Sequence, residues 1–208
     1  NVYGTMESGA AEWVFPTNGE LTSWENQLAT QAAAGTTRGG IDLSTTMTLT
    51  APVRINGDVF LRSGGRLTIN GSGPVYVTGR FEMGGDSVLS NGALIAVHGQ
   101  FKQGGGTQYL LTGPPASAGL VTFLVDKDAI IFEGAATGTQ GVIYAARGGV
   151  KLSGSAALQG AAIAGGEGTY GQIKAGGGTT MTYPAGLLPS AAWLPEISGG
   201  PLAACSAS

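Results

Sequence analysis

VYVTGRFEMGG, residues 75–85, is followed twenty residues later by IAVHGQFKQGG, residues 95–105. The apolar letters, the phenylalanine and the glycines are kept, while the polar letters change. An earlier copy, VRINGDVFLRSGG at 53–65, has the same pattern. Short apolar alternation bounded by glycine is typical of β-strands, because successive side chains of a strand point to opposite faces. A unit of about twenty residues with such strands and no helical pattern predicts a β-solenoid in which each unit forms one coil.

Stacking of such coils predicts columns of apolar side chains that run through the interior. Glycine is expected at the corners, where the backbone needs a positive φ or leaves no room for a Cβ atom. Two downstream segments repeat in the same way: GVIYA at 141–145 returns as GAAIA at 160–164, and GGVKLSG at 148–154 as GQIKAGG at 171–177. The predicted inward columns are Val53, Val75 and Ile95; Ile55, Val77 and Val97; and Val59, Phe81 and Phe101.

The predicted fold is therefore all-β: a single-stranded parallel β-solenoid, or β-helix, of about seven coils at 40–180, with a short N-terminal capping helix. At the usual strand spacing its height is on the order of 30 Å. The repeat loosens between 107 and 140, where TGPPASAG reads as an irregular insertion. The apolar run LVTFLVD at 120–126 is either a strand buried on both sides or one flanked by the insertion.

Both ends of a solenoid need a cover, because an end coil exposes unpaired backbone and apolar core. Residues 1–39 are interpreted as an N-terminal segment with a capping helix. Thr22 and Glu25 have capping-box spacing, and Gly35 is the predicted stop. Trp24, Leu28 and Ala32 follow helical spacing. We expect this helix, with Trp13 and Phe15 before it, to cover the N-terminal end.

Residues 181–208 are interpreted as a C-terminal capping segment and tail. The part at 181–202 is apolar and interrupted by proline, which suits a non-helical segment that folds over the last coil. The side chains expected to make this contact are Tyr183, Leu187, Leu188 and Trp193. Cys205, in the tail, is the single cysteine of the chain and raises the alternatives of a partner thiol and a chance free thiol.

Composition narrows the classes of function. Thirty-eight of 208 residues are glycine, far above the usual share of roughly 7%. The net charge of −3 gives no global nucleic-acid signal, and one histidine with one cysteine argues against clustered metal or redox chemistry, so no cofactor and no metal site are expected. No run of eighteen apolar residues occurs, and we expect no membrane contact from this part of the protein. The chain begins at Asn1 without a methionine or signal peptide and reads as a piece of something longer.

The nearest approach to a catalytic motif is Asp126-Lys127-Asp128, with Arg147 expected about one coil away. Polysaccharide-active β-solenoid enzymes of the pectate-lyase type place such residues in an outer groove, and aspartates at i and i+2 of a strand face the same side. The favoured alternative is a charged turn after a buried strand. His98 occupies an outward repeat position without a visible constellation and is interpreted as a lone surface residue. We therefore predict no catalytic site.

One outward feature points to a ligand. Lys102, Lys151 and Lys174 occupy the same repeat position and are expected to form one row on one face. Arg147, and Lys127 if the irregular coil keeps the face, would extend this row. A row of cations can follow a phosphate backbone, because lysine and arginine neutralise phosphates. The competing interpretation is a solvated row that keeps the sheet surface soluble.

Two segments resemble a known family. The run GVIYAARGGVKLSGSAALQGAAIAGG at 141–166, followed by MTYP at 181–184, resembles the solenoid of bacterial type IV pilus-associated minor pilins of the PilX-like kind. WVFPTNGELTSWENQLA at 13–29 resembles the Phe-Pro and helix that precede their coils. The resemblance implies an extracellular place at the pilus tip on the cell surface, other pilin subunits as partners, and an N-terminal pilin helix outside this sequence.

Competence-associated members of that family imply a more specific role, since their large β-solenoid is inserted into a pilin domain. The expectation is a non-enzymatic receptor that captures double-stranded DNA for natural transformation. The alternative is an adhesion or structural module of the pilus that binds a surface, a glycan or other pilins.

Overall fold

The computed structural model describes residues 16–113, 118–136, 139–166 and 170–183. One helix and fifteen strands lie in these ranges. This helix is not long and apolar enough to cross a membrane. The elements are α1 (Asn18–Ala33), β1 (Thr36–Leu43), β2 (Thr46–Leu61), β3 (Arg66–Val77), β4 (Phe81–Met83), β5 (Val88–Asn91), β6 (Leu94–Val97), β7 (Phe101–Gln103), β8 (Gln108–Leu111), β9 (Gly119–Thr122), β10 (Ile130–Phe132), β11 (Thr139–Ala145), β12 (Val150–Leu152), β13 (Ala157–Ala164), β14 (Ile173–Ala175) and β15 (Thr180–Thr182).

The strands form a parallel β-solenoid of about seven turns, which confirms the predicted fold. Each coil contributes strands to three sides. The lysine face carries residues 41–43 of β1, 59–61 of β2, and then β4, β7, β10, β12 and β14. The helix face carries the segments around β6, β9 and the second half of β11. The third face carries the remaining segments, such as β5 and β8.

The predicted inward columns are confirmed by the strand register. Phe81 pairs with Val59 on one side and with Phe101 on the other, and Phe101 pairs with Ile130. All nine predicted column residues are buried. The rings of Phe81 and Phe101 lie 5.4 Å apart, and Phe132 continues this aromatic stack at 5.9 Å from Phe101. Repetition of apolar letters therefore reflects a core that is continuous from coil to coil.

The repeated glycines have two separate causes. At Gly99 a Cβ atom would lie 2.8 Å from the carbonyl oxygen of Gly79, so stacked corners of neighbouring coils leave no space for a side chain. Gly85 and Gly105 instead have φ values of 62° and 64°, in the left-handed region that disfavours other residues. Both causes were expected for the corners, and at Gly85 they act together, since a Cβ atom there would also lie 2.7 Å from Ser63 Cα.

The helix forms where expected, but its N-cap lies five residues earlier than the sequence pattern suggested. Thr17, not Thr22, is the N-cap: its Oγ1 accepts from the Glu20 backbone N–H, and its own N–H donates to Glu20 Oε2 at 2.7 Å. Thr22 lies inside the helix, where its hydroxyl donates to the Asn18 carbonyl. Thr22 and Glu25 also have capping-box spacing, but the Glu25 side chain points towards the solenoid and contacts Tyr76, His98 and Arg147 there.

The helix lies along the helix face, across several coils, and not over the N-terminal end of the solenoid. The outward residues beneath it are apolar and buried, so the helix completes a second hydrophobic cluster outside the solenoid core. In register these outward residues are Tyr76, Ala96, Val121 and Tyr144, on four successive coils. The first part of the run at 120–126 is thus buried on both sides: Leu120 belongs to the solenoid core, whereas Val121 and Phe123 lie under the helix. The run leaves the interior at Val125, which is 59% exposed.

The two ends of the solenoid differ. At the first coil Arg38 pairs with Ile55, and its guanidinium donates to Met47 Sδ at 3.3 Å, so a polar side chain ends one interior column. At the last coil the strands run on to Thr182, and Tyr183 is half-buried. The predicted end contacts of Trp13, Phe15, Leu187, Leu188 and Trp193, together with Cys205, lie outside the described residues.

Candidate nucleic-acid interface

The predicted lysine row exists in the strand register. Along the outward side of the lysine face, Glu82 is followed by Lys102, Ile131, Lys151 and Lys174 on successive coils. Lys151 and Lys174 are direct neighbours, which places their backbones about 4.8 Å apart. Lys102 is separated from Lys151 by the coil that carries Ile131. Solenoid periodicity therefore brings the three lysines to one face, with a gap in the row.

Lys102 is not an isolated cation. Its Nζ lies 2.7 Å from Glu133 Oε1, and both side chains are about one-third exposed. The hydrogen bond that Lys102 donates to the Glu133 carboxylate is the main cause that raises the pKa of Lys102 above its usual range. The lysine therefore stays charged, but its charge is balanced locally. A phosphate at this position would have to compete with the Glu133 carboxylate.

A shallow groove of about 290 Å³ lies at the C-terminal half of the lysine face. Lys127, Lys151 and Lys174 line it, with Asp128 and Ser153 beside them. Lys127 thus joins the lysine face, as the sequence analysis allowed. Within the described ranges none of these three lysines forms an ion pair. Three ammonium groups against one carboxylate make this groove the most cationic part of the face.

The motif Asp126-Lys127-Asp128 forms a hydrogen-bonded turn that sets one edge of the groove. Asp126 Oδ1 accepts from the backbone N–H of Asp128 at 2.8 Å, and Gln100 Nε2 donates to the Asp128 carbonyl at 2.9 Å. The Asp126 carboxylate is therefore used to hold the turn, in agreement with the charged-turn interpretation. The same turn fixes the position from which Lys127 reaches the groove.

Arg147 is placed elsewhere. Its side chain is 14% exposed, and Nη1 lies 3.1 Å from Glu25 Oε2. Nη2 donates to Thr22 Oγ1 at 2.6 Å, and the guanidinium lies 5.7 Å from the centre of the Phe123 ring. These contacts tie the sheet to the first half of α1. The structure therefore does not bring Arg147 to the lysine groove.

Glu25 is the centre of a charged cluster that the sequence analysis missed. Its side chain is 9% exposed; Oε1 lies 2.6 Å from His98 Nδ1 and accepts a hydrogen bond from the Tyr76 hydroxyl at 3.0 Å. Burial, followed by the charge of Glu25, raises the pKa of Tyr76. His98 is exposed as predicted, but it is not alone. A charged residue next to Trp24 on an otherwise apolar helix surface was the available signal for this cluster.

Among the described residues no group of three or more histidine, cysteine, aspartate or glutamate side chains could hold a metal ion. Comparison of the chain with protein-family models, with curated proteins and with solved structures gave no match.

Proposed function

We propose that this chain is a non-enzymatic, extracellular β-solenoid module of a type IV pilus minor pilin, and that it binds double-stranded DNA through the groove of Lys127, Lys151 and Lys174. The observation that supports the ligand is that one groove brings together three lysines that form no ion pair with any described residue. The pilus location at the cell surface and the pilin partners rest on the resemblance of 141–166 and 13–29 to PilX-like proteins. The proposed role as a receptor in DNA uptake combines the lysine groove with the resemblance to minor pilins.

The geometry suits a short contact with a phosphate backbone. The lysine face is a parallel sheet, and the lysine stems can extend from it to reach phosphate oxygens. Glu82 and Glu133 place carboxylates on the same face outside the groove, so the cationic surface is confined to the groove. DNA should therefore cross the face near its C-terminal end and contact about three phosphates, without base readout.

Fluorescence anisotropy with a labelled duplex tests this proposal. With about three phosphates neutralised, log affinity should fall with log salt at a slope of about −2.7, so a fourfold rise in salt weakens binding about 40-fold. Combined replacement of Lys127, Lys151 and Lys174 by alanine should abolish binding. The matched control is Lys102→Ala, which removes a cation that is already paired and should leave the affinity nearly unchanged. Equal binding by wild type and the triple variant would refute the groove as the interface.

A second candidate function, contact with another protein of the pilus, is favoured by the last coil. Ile173 and Met181 continue interior columns from Val150 and Leu158, yet they are 46% and 52% exposed. Apolar side chains in such positions suit a protein partner better than a polyanion. If this end docks a pilin subunit, Ile173→Ser combined with Met181→Ser should weaken that association and leave DNA binding intact.

A further inference from the structure

A second groove lies between α1 and the sheet that it covers, on a different side of the solenoid from the lysine groove. Its volume is about 230 Å³. The side chains that line it come from two turns of the helix and from the edges of β3 and β6: Trp24, Gln27, Leu28, Gln31, Pro74 and Leu94. None of these residues is charged.

Trp24 offers a fixed aromatic surface to this groove. Its ring meets Phe123 edge to face with centroids 5.3 Å apart, and it lies 6.2 Å from Tyr144. These contacts hold the indole, but Trp24 is only partly buried, so some of its surface is left for a ligand. An aromatic surface that is held before binding loses little conformational entropy when a ligand arrives.

Two amide side chains stand beside the indole. Gln27 and Gln31 are exposed and lie one helical turn apart, so they project on the same side of α1. Neither amide makes a hydrogen bond within the described part of the chain. Each carries an NH₂ donor and a carbonyl acceptor, so the pair can recognise groups that both donate and accept.

We infer that this groove binds one ring of a neutral saccharide. A sugar ring has an apolar C–H face that can pack on the indole, and hydroxyl groups that can pair with both amides. A charged ligand would find no opposite charge in the lining. The volume lies below the roughly 300–1,000 Å³ of pockets for drug-sized ligands, which limits the occupant to about one ring. The site is independent of the lysine groove and of DNA binding.

Saturation-transfer NMR on the whole chain tests the inference. The probes are the methyl glycosides of glucose, galactose, mannose and N-acetylglucosamine at millimolar concentration, with glucuronic acid as the charged counterpart. We expect transfer to at least one neutral glycoside and none to glucuronic acid. Gln27→Ala combined with Gln31→Ala should remove the signal. Alanine is the stronger helix former, so this variant should stay folded, which the helical circular dichroism signal checks.

The control is Gln108→Ala, which removes an exposed amide from the third face and should leave the transfer signal unchanged. Three outcomes overturn the inference: no neutral glycoside receives saturation, the signal persists in the Gln27 and Gln31 variant, or glucuronic acid alone binds. Loss of the signal in the Gln108 control overturns it as well, because the amides beside Trp24 would then not be the specific contact.

Discussion

Arg147 should hold α1 on the solenoid, and replacing it by methionine tests that role most directly. The distance between Nη1 and Glu25 Oε2 is 3.1 Å, and the two side chains are 14% and 9% exposed. Removal of one partner from a buried ion pair costs about 3–5 kcal/mol, because the other charge is left without compensation. Glu25 keeps His98 and Tyr76 as partners. We therefore expect the free energy of unfolding to fall by about 3 kcal/mol, the lower end of that range.

A double-mutant cycle isolates the pair. Glu25→Gln keeps the shape of the side chain and removes its charge, so the double variant should be more stable than the sum of the single effects by about 2 kcal/mol. The assay is urea denaturation, combined with amide hydrogen exchange over Asn18–Ala33. Because the helix can open without the sheet, its amides should exchange faster before the strands respond. Lys174→Met, an exposed cation, serves as the control and should change stability by less than about 0.5 kcal/mol.

Two results would refute this reasoning. The first is a loss of less than about 1 kcal/mol in Arg147→Met, the size typical of an exposed pair. The second is additivity of the Arg147 and Glu25 substitutions, which would mean that the two charges do not stabilise the fold through each other.

Three further predictions concern the core, a buried tyrosine and the lysine face. Phe81→Asp puts a charge into a fully buried column and should unfold the chain. Lys102→Ala should lower the free energy of unfolding by less than about 1 kcal/mol. An equal loss of thermal stability in the two variants would show that the inward and outward registers are wrong. Burial raises the pKa of Tyr144 to about 12. Above the unfolded value near 10 the unfolded chain loses this proton first, so stability should fall by up to roughly 3 kcal/mol between pH 10 and 12. Tyr144→Phe should remove that part of the alkaline loss in denaturation measured across this pH range, and an unchanged pH profile would contradict it. Glu133→Gln frees Lys102 and should tighten DNA binding and steepen the salt slope by about 0.9, and an unchanged slope in anisotropy would count against the lysine face.

The coil register could be predicted because the interior repeats. Val53, Val75 and Ile95 occupy one column, as the alignment of the copies on Gly57, Gly79 and Gly99 predicts. The same period predicts that Lys151 and Lys174 are neighbours. Periodic features of the fold and of the candidate interface are therefore readable from the chain, because each coil repeats the physical constraints of the one before.

The position of α1 could not be read in this way. An outward row is expected to be free of constraint, yet Tyr76, Val121 and Tyr144 are outward and apolar because a helix covers them. Within its own coil, each of these residues fits the pattern of an ordinary short β-strand. Only the shared register of the row, and not any single copy, shows that the helix face is apolar.

The partners of the charged residues were hidden for a related reason. Arg147 and Glu25 are 122 positions apart, and Lys102 meets Glu133 across a coil whose length departs from the period. Such contacts depend on how corners and the helix are placed, which the repeat does not specify. The alignment of Lys102, Lys151 and Lys174 was therefore predictable, whereas the place of Arg147 and the number of cations left unpaired in the row were not.

The placement of α1 affects the order in which the coils unfold. In a repeat protein each unit touches only its neighbours, so the units can be lost one after another from an end. Here α1 packs across four successive coils. Its Glu25 forms an ion pair with Arg147, which belongs to the last of these four coils. If one of these coils opens, α1 loses packing contacts and therefore stabilises the other three coils less. We expect the four coils under α1 to unfold together in one cooperative thermal transition. Local unfolding should begin at the exposed strands β14 and β15.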